Sequence, residues 1–138
     1  MRIAIVGPCA AGKTTLQNNL VRLGYDARAV AQEHSEVQAM WQQIARPDIL
    51  IYLDAALATI NARRNVNWEQ EYLDRMNRRL THARAHAHFW LDTNPLTPVQ
   101  VYERVAEFLA SIGVHPNFRK EQKNANSWHH SLARFVRL

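Results

Sequence analysis

The sequence predicts an α/β protein: a three-layer α/β/α sandwich around a small parallel sheet of about four strands. Short apolar runs at residues 2–6, 49–53 and 89–91 alternate along the chain with amphipathic helical stretches. The run Ile49-Leu50-Ile51-Tyr52-Leu53 is uninterrupted, the mark of a central strand covered on both faces. A chain of 138 residues, 47% apolar and 21% charged, fits one compact domain.

Residues 2–6 read as a short buried strand, and Gly7 and Gly12 break its pattern. A helix follows from Lys13 with Leu16, Leu20 and Leu23 on one face, and Gly24 stands where a glycine ends a helix. Residues 26–31 form a second, weaker strand. Ser35-Glu36-Val37-Gln38 has the spacing of a capping box, so a short helix carrying Met40, Trp41 and Ile44 is expected to open there and stop before Pro47. Residues 49–53 make the third strand. Asp54 is expected to cap a helix reaching Arg64, and Asn67 to begin a longer one with Leu73, Met76, Leu80 and Ala83 at helical spacing. Phe89-Trp90-Leu91 is the fourth strand, ending at Asp92. Thr97-Pro98-Val99-Gln100 is another capping box, with proline at the first helical position. Its helix buries Val101, Val105, Phe108, Leu109 and Ile112 and ends at Gly113. Residues 1–113 thus form the domain. Residues 114–138 form a basic tail, either a docking helix through Trp128, Leu132 and Phe135 or disorder over residues 115–127.

No apolar run is long enough to span a bilayer, so no membrane partner is expected. Met1 to Val6 begins like a signal peptide, but Lys13 interrupts before a long apolar region develops. The single cysteine, Cys9, excludes an internal disulfide, and a cytoplasmic location is the expectation. The net charge of +5 is uneven: residues 114–138 hold five basic side chains against one acidic, and the rest hold twelve against eleven. A nearly neutral body argues against a nucleic-acid platform. Exposed sheet edges and four tryptophans admit a homodimer.

Gly7-Pro8-Cys9-Ala10-Ala11-Gly12-Lys13-Thr14 matches G-x-x-x-x-G-K-[ST] at every fixed position, between a predicted strand and a predicted helix. Small residues let consecutive backbone N–H groups turn toward phosphate oxygens, and the helix N-terminus adds positive potential there. The motif identifies residues 7–15, with Thr15 closing the set, as a nucleotide phosphate site. Lys13 would reach the β- and γ-phosphates of ATP and the Thr14 hydroxyl would ligate Mg²⁺. No N-K-x-D base-reading element is visible, which leans toward ATP over GTP. Cys9 inside the loop is either a small residue tolerated there or a thiol activated by the helix end and Lys13.

With that loop, the chain resembles P-loop NTPases, and in particular a shortened nucleoside or nucleotide kinase of the adenylate-kinase-like type. Arg46-Pro47-Asp48-Ile49-Leu50-Ile51-Tyr52-Leu53-Asp54, with Arg63 and Arg64 downstream, resembles the late strand and arginine-bearing helix of those enzymes. Residues 91–98 resemble the entry to their last helix. The resemblance implies that Asp54 is mainly structural, that Arg63 and Arg64 approach the phosphates, and that a glutamate after the second strand acts as general base or orders water on Mg²⁺. Glu33 stands at that point, with His34 beside it and Trp41 further on. On spacing alone Asp54, after its apolar strand, competes with Glu33 for the carboxylate role. The further strand typical of such kinases is missing between Glu33 and Pro47.

Arg63, Arg64, Arg75, Arg78, Arg79 and Arg84 fall on two neighbouring helices. Arg63 and Arg64 are the candidates to offset charge on a transferring phosphoryl, while Arg75, Arg78 and Arg84 fit a solvated face with Glu71 and Asp74. His82 and His86 share a helical face but lack a neighbouring cysteine, a poor set for zinc. The expected activity is Mg²⁺-dependent phosphoryl transfer from ATP to a small molecule such as a nucleoside or nucleotide. The alternative is a nucleotide-binding regulatory or assembly protein that hydrolyses slowly without an acceptor. A nucleic-acid-associated NTPase using the basic tail is a third reading.

Overall fold

The computed structural model describes residues 1–117. Four strands, β1 (Arg2–Val6), β2 (Asp26–Ala29), β3 (Ile49–Asp54) and β4 (Phe89–Asp92), form one sheet in the order β2-β1-β3-β4, with every pairing parallel. Among the described residues six α-helices join them: α1 (Lys13–Arg22), α2 (Met40–Ala45), α3 (Leu57–Arg64), α4 (Gln70–Arg79), α5 (Thr81–His86) and α6 (Pro98–Ser111). A short 3-10 turn at Gln32–His34 follows β2. No helix among the described residues is long and apolar enough to cross a membrane.

Side chains alternate across the strands, and both faces of the sheet are apolar. Ile3, Ile5, Ile49, Ile51, Leu53 and Leu91 enter one cluster with Leu16 and Leu20 of α1, Ile60 of α3 and Val101, Val105 and Leu109 of α6. Ala4, Val6, Leu50 and Tyr52 enter a second cluster with Trp41 of α2 and Leu80 and Ala83 beside and within α5. Helices therefore cover both faces, an arrangement compatible with three layers, and β3 is fully covered as its uninterrupted apolar run requires. Burying each of these large aliphatic side chains contributes about 1.5–3 kcal/mol relative to leaving it exposed.

Several helix ends follow the sequence. Gly24, at φ 94°, ends α1 with Tyr25 N–H donating to Leu20, and Thr97 and Gln100 form the complete capping box of α6 with Pro98 at its start. Three expected helix starts are corrected. Ser35 does not open a helix: its hydroxyl accepts from Val37 N–H at 3.1 Å, closing a tight turn, and α2 starts only at Met40. Asp54 does not cap α3, because Ala55 and Ala56 intervene; Ala56 is the N-cap and its N–H goes to Asn94 Oδ1 at 2.8 Å. Asn67 lies outside the next helix, which starts at Gln70 and is divided at Leu80 into α4 and α5. Ile112, expected inside, is 45% exposed, since α6 stops at Ser111, and Phe108 is only partly buried. Val114 is buried and Asn117 N–H donates to Gly24 at 2.7 Å, so the chain stays against the body past Gly113. The expected docking helix at Trp128, Leu132 and Phe135 lies outside the described residues.

Candidate functional site

The strand order places the functional loop. From β1 the chain moves to β2 on one edge, and β3 is followed by β4 on the other. Connections leaving in opposite directions open a crevice at the carboxyl ends of β1 and β3. Residues 7–12 run through that crevice and lead into α1.

Glycine is dictated at Gly7 by close packing: a Cβ there would lie 2.1 Å from the Leu53 carbonyl oxygen, inside the β1–β3 pairing. Gly12, at φ 105°, is the N-cap of α1 and offers no side-chain acceptor. The first-turn amides of α1 therefore have no acceptor from the cap, the condition under which a helix N-terminus receives an anion. Ala10 is held at φ 60°, a left-handed conformation costing an alanine roughly 1–2 kcal/mol.

Two residues from other elements hold this backbone. The Arg63 guanidinium, at the end of α3, donates to the Ala10 carbonyl at 2.8 Å, to Thr93 Oγ1 at 3.1 Å and to the Thr93 carbonyl at 2.6 Å. The fully buried Thr93 hydroxyl lies 2.9 Å from the Ala11 carbonyl oxygen and 3.1 Å from that of Asp54. The Ala10 and Ala11 carbonyls are thereby turned toward Arg63 and Thr93. Thr93 escaped sequence reasoning as a loop-fixing residue. Its one signal was its place directly after the β4 aspartate.

On the other side of the loop, Lys13 Nζ donates to the Gly7 carbonyl at 2.8 Å, the Pro8 carbonyl at 2.9 Å and Glu33 Oε2 at 2.5 Å. Both side chains are largely buried, 10% and 4% exposed. Glu33 sits on the turn after β2, fixed by its neighbour Gln32, whose buried amide donates to the Val37 and Arg79 carbonyls and accepts from Trp41 N–H. Glu33 Oε1 is buried without a hydrogen-bond partner among the described residues. Cys9 Sγ lies 3.8 Å from Glu33 Oε2 and 3.3 Å from His34 Nε2. Burial, reinforced by the Glu33 charge, pushes the Cys9 thiol above its ordinary pKa, with Lys13 and Arg64 only partly opposing. These surroundings disfavour the thiolate at Cys9.

Two cavities flank the loop. One of about 440 Å³ is bounded by Lys13, Thr14, Glu33, His34 and Arg64, and the exposed Thr14 hydroxyl and Glu33 could hold a divalent cation there. The other, about 400 Å³ and largely apolar, lies between Gly12, Thr15, Leu16, Leu96 and Val101, with Arg63 at its wall. Arg63 and Arg64 therefore separate: Arg63 fixes the loop, whereas Arg64 borders the polar cavity with its guanidinium 5.3 Å from the Trp68 ring centroid.

The structure brings Glu33, not Asp54, to Lys13. Asp54 accepts from Ala55 N–H at 3.0 Å and pairs with Arg84 at 3.1 Å, and Arg84 lies over the Tyr52 ring. Arg79 is held by Glu36 at 2.7 Å, and Arg75 lies over Tyr72. His82 Nδ1 accepts from Trp41 Nε1 at 3.1 Å, a partner inside the second cluster. Comparison with protein-family models and with curated proteins finds no match to this chain.

Proposed function

We propose that this chain is a nucleotide-binding protein with the P-loop fold and transfers the γ-phosphoryl of Mg²⁺·ATP to a small acceptor, as a shortened nucleoside- or nucleotide-kinase-like enzyme. The observation that carries the reading is the loop of residues 7–14: a helix start with no side-chain cap, the Ala10 and Ala11 carbonyls held by Arg63 and Thr93, and Lys13 beside a buried carboxylate.

In this reading the amides of residues 9, 10 and 12–15 and Lys13 Nζ hold the phosphates, with Lys13 turning from Glu33 to the β- and γ-oxygens. Thr14 and Glu33 hold Mg²⁺ directly or through water, and the metal supplies charge neutralisation on the phosphates. Glu33 accepts the acceptor hydroxyl proton, and Arg64, on the same cavity, offsets charge on the transferring group. The apolar cavity beside Thr15 and Leu16 suits a nucleobase, continuous with the loop on the side away from Glu33.

Calorimetric titration of Mg²⁺·ATP tests the foundation: binding is expected in the wild type and weakened at least about tenfold in Lys13→Ala. Equal affinities would remove the site. A coupled assay across nucleosides and phosphorylated metabolites tests transfer. If no acceptor raises ADP formation above the water background, the reading retreats to a nucleotide-binding regulator.

A further inference from the structure

We propose that Cys9, Glu33 and His34 form a binding site for a thiophilic divalent cation of the zinc type, which shares Glu33 with the Mg²⁺ position beside Thr14 and so competes with it. Their three ligand types, thiol sulfur, carboxylate oxygen and imidazole nitrogen, lie within 4.8 Å of one another and are the one such grouping among the described residues. Tetrahedral coordination with bonds of 2.0–2.3 Å places neighbouring ligand atoms about 3.3–3.8 Å apart. Cys9 Sγ to His34 Nε2, at 3.3 Å, and Cys9 Sγ to Glu33 Oε2, at 3.8 Å, already stand at that spacing.

A second observation points the same way. Glu33 is 3% exposed, yet its Oε1 has no hydrogen-bond partner, a state that buried carboxylate oxygens rarely keep. The paired oxygen at the Cys9 spacing is Oε2, and a cation held through both carboxylate oxygens would also satisfy Oε1. Sulfur with imidazole selects against Mg²⁺ and Ca²⁺, which take oxygen ligands, and favours zinc or cobalt. The exposed His34 borders the 440 Å³ cavity, which gives the ion an entry path and leaves a fourth position for water.

The local scaffold suits the task. Cys9 comes from the loop after β1, and Glu33 and His34 are consecutive on the turn after β2, the strand paired with β1. Coordination releases the Cys9 proton to solvent, so a dication meets one thiolate, one carboxylate and one neutral imidazole. Lys13 Nζ, 2.5 Å from Glu33 Oε2, is the competing cation: metal and ammonium repel, and binding displaces Lys13 from Glu33. The inference stands on this geometry and does not require that the protein bind a nucleotide.

Titration of Co²⁺ into the full-length, metal-free protein tests it. One equivalent is expected to bind with a thiolate-to-cobalt charge-transfer absorption and the strong visible bands of four-coordinate cobalt, and Zn²⁺ should displace it. Cys9→Ser should abolish the charge-transfer band, His34→Ala should weaken affinity about tenfold or more, and Lys13→Met should tighten it several-fold. No charge-transfer band in the wild type, or an unchanged band in Cys9→Ser, would overturn the site. Unchanged affinity in His34→Ala, or no tightening in Lys13→Met, would overturn it equally. Circular dichroism confirms that each variant folds, and the wild-type spectrum decides by itself if one does not. Mg²⁺·ATP titration of His34→Ala in parallel separates the two readings, since that variant removes a cation ligand and no phosphate contact.

Discussion

Lys13, the first residue of α1, and Glu33, on the turn after β2, meet at 2.5 Å, nearly buried. Either segment alone would be an ordinary continuation of its strand. Together they put the loop's ammonium against a carboxylate that β2 delivers. If Glu33 is the general base, Glu33→Gln should lower acceptor-dependent turnover by about 10²-fold or more. Mg²⁺·ATP affinity should fall less than turnover if Glu33 reaches Mg²⁺ only through water, because the proposed phosphate contacts come from amides and Lys13. Steady-state kinetics with calorimetry checks both, and a fall in affinity with turnover intact would assign Glu33 to binding.

Backbone geometry in the loop gives two substitutions of opposite sign. Gly7→Ala drives a Cβ into the Leu53 carbonyl and should cost about 3 kcal/mol or more by parting β1 from β3. Ala10→Gly relieves the left-handed strain at φ 60° but adds unfolded-state entropy, for a net gain of about 0.5–1 kcal/mol. Urea denaturation of both variants measures the pair. Destabilisation by Ala10→Gly would mean that the strain argument fails.

Arg63 holds the loop backbone through Ala10 and Thr93, and nucleotide binding, if the loop supports it, should depend on that hold. Arg63→Ala frees the Ala10 carbonyl and one side of Thr93, and should weaken Mg²⁺·ATP by about tenfold. Arg63→Lys should not restore affinity, because a single ammonium cannot reproduce a planar fork that spans two carbonyls and a hydroxyl. Full recovery with lysine would reduce Arg63 to a source of positive charge.

Tyr52 predicts the alkaline limit of stability. Its side chain is 1% exposed in the middle of β3, and burial raises its pKa above the usual value despite the Arg84 guanidinium nearby. The unfolded chain, with a tyrosine pKa of about 10, then releases its proton before the folded one does. The stability Tyr52 confers is complete below that value and is lost as pH rises through the raised folded pKa. Denaturation midpoints should fall above about pH 10, and Tyr52→Phe should flatten that limb.

Much of the architecture is written in short-range pattern. The uninterrupted apolar run of β3 required cover on both faces, Gly24 and Gly113 ended their helices, and Thr97-Pro98-Val99-Gln100 set the start of α6. Residues such as Leu16, Leu73, Met76 and Val105 took core positions because 3.6-residue spacing puts them on one face. Local signals failed where a second local solution competed. Ser35 satisfied Val37 in a turn instead of capping a helix, and Asp54 met Ala55 and Arg84 instead of the α3 amides.

The sequence by itself determined the glycine-bounded loop of residues 7–14, the strand–loop–helix order around it and the apolar character of both sheet faces. These depend on residues close together in the chain, where residue type restricts the backbone directly. Which carboxylate faces Lys13 was decided only by the tertiary structure. Glu33 is chosen because β2 pairs with β1 in parallel and ends beside the loop, while Asp54 is drawn to Arg84. The separate duties of Arg63 and Arg64, the hold of Thr93 on the loop and the meeting of Cys9 with His34 have the same origin. Each joins groups from different strands or helices, and such pairs exist only once the sheet fixes which strand ends lie side by side.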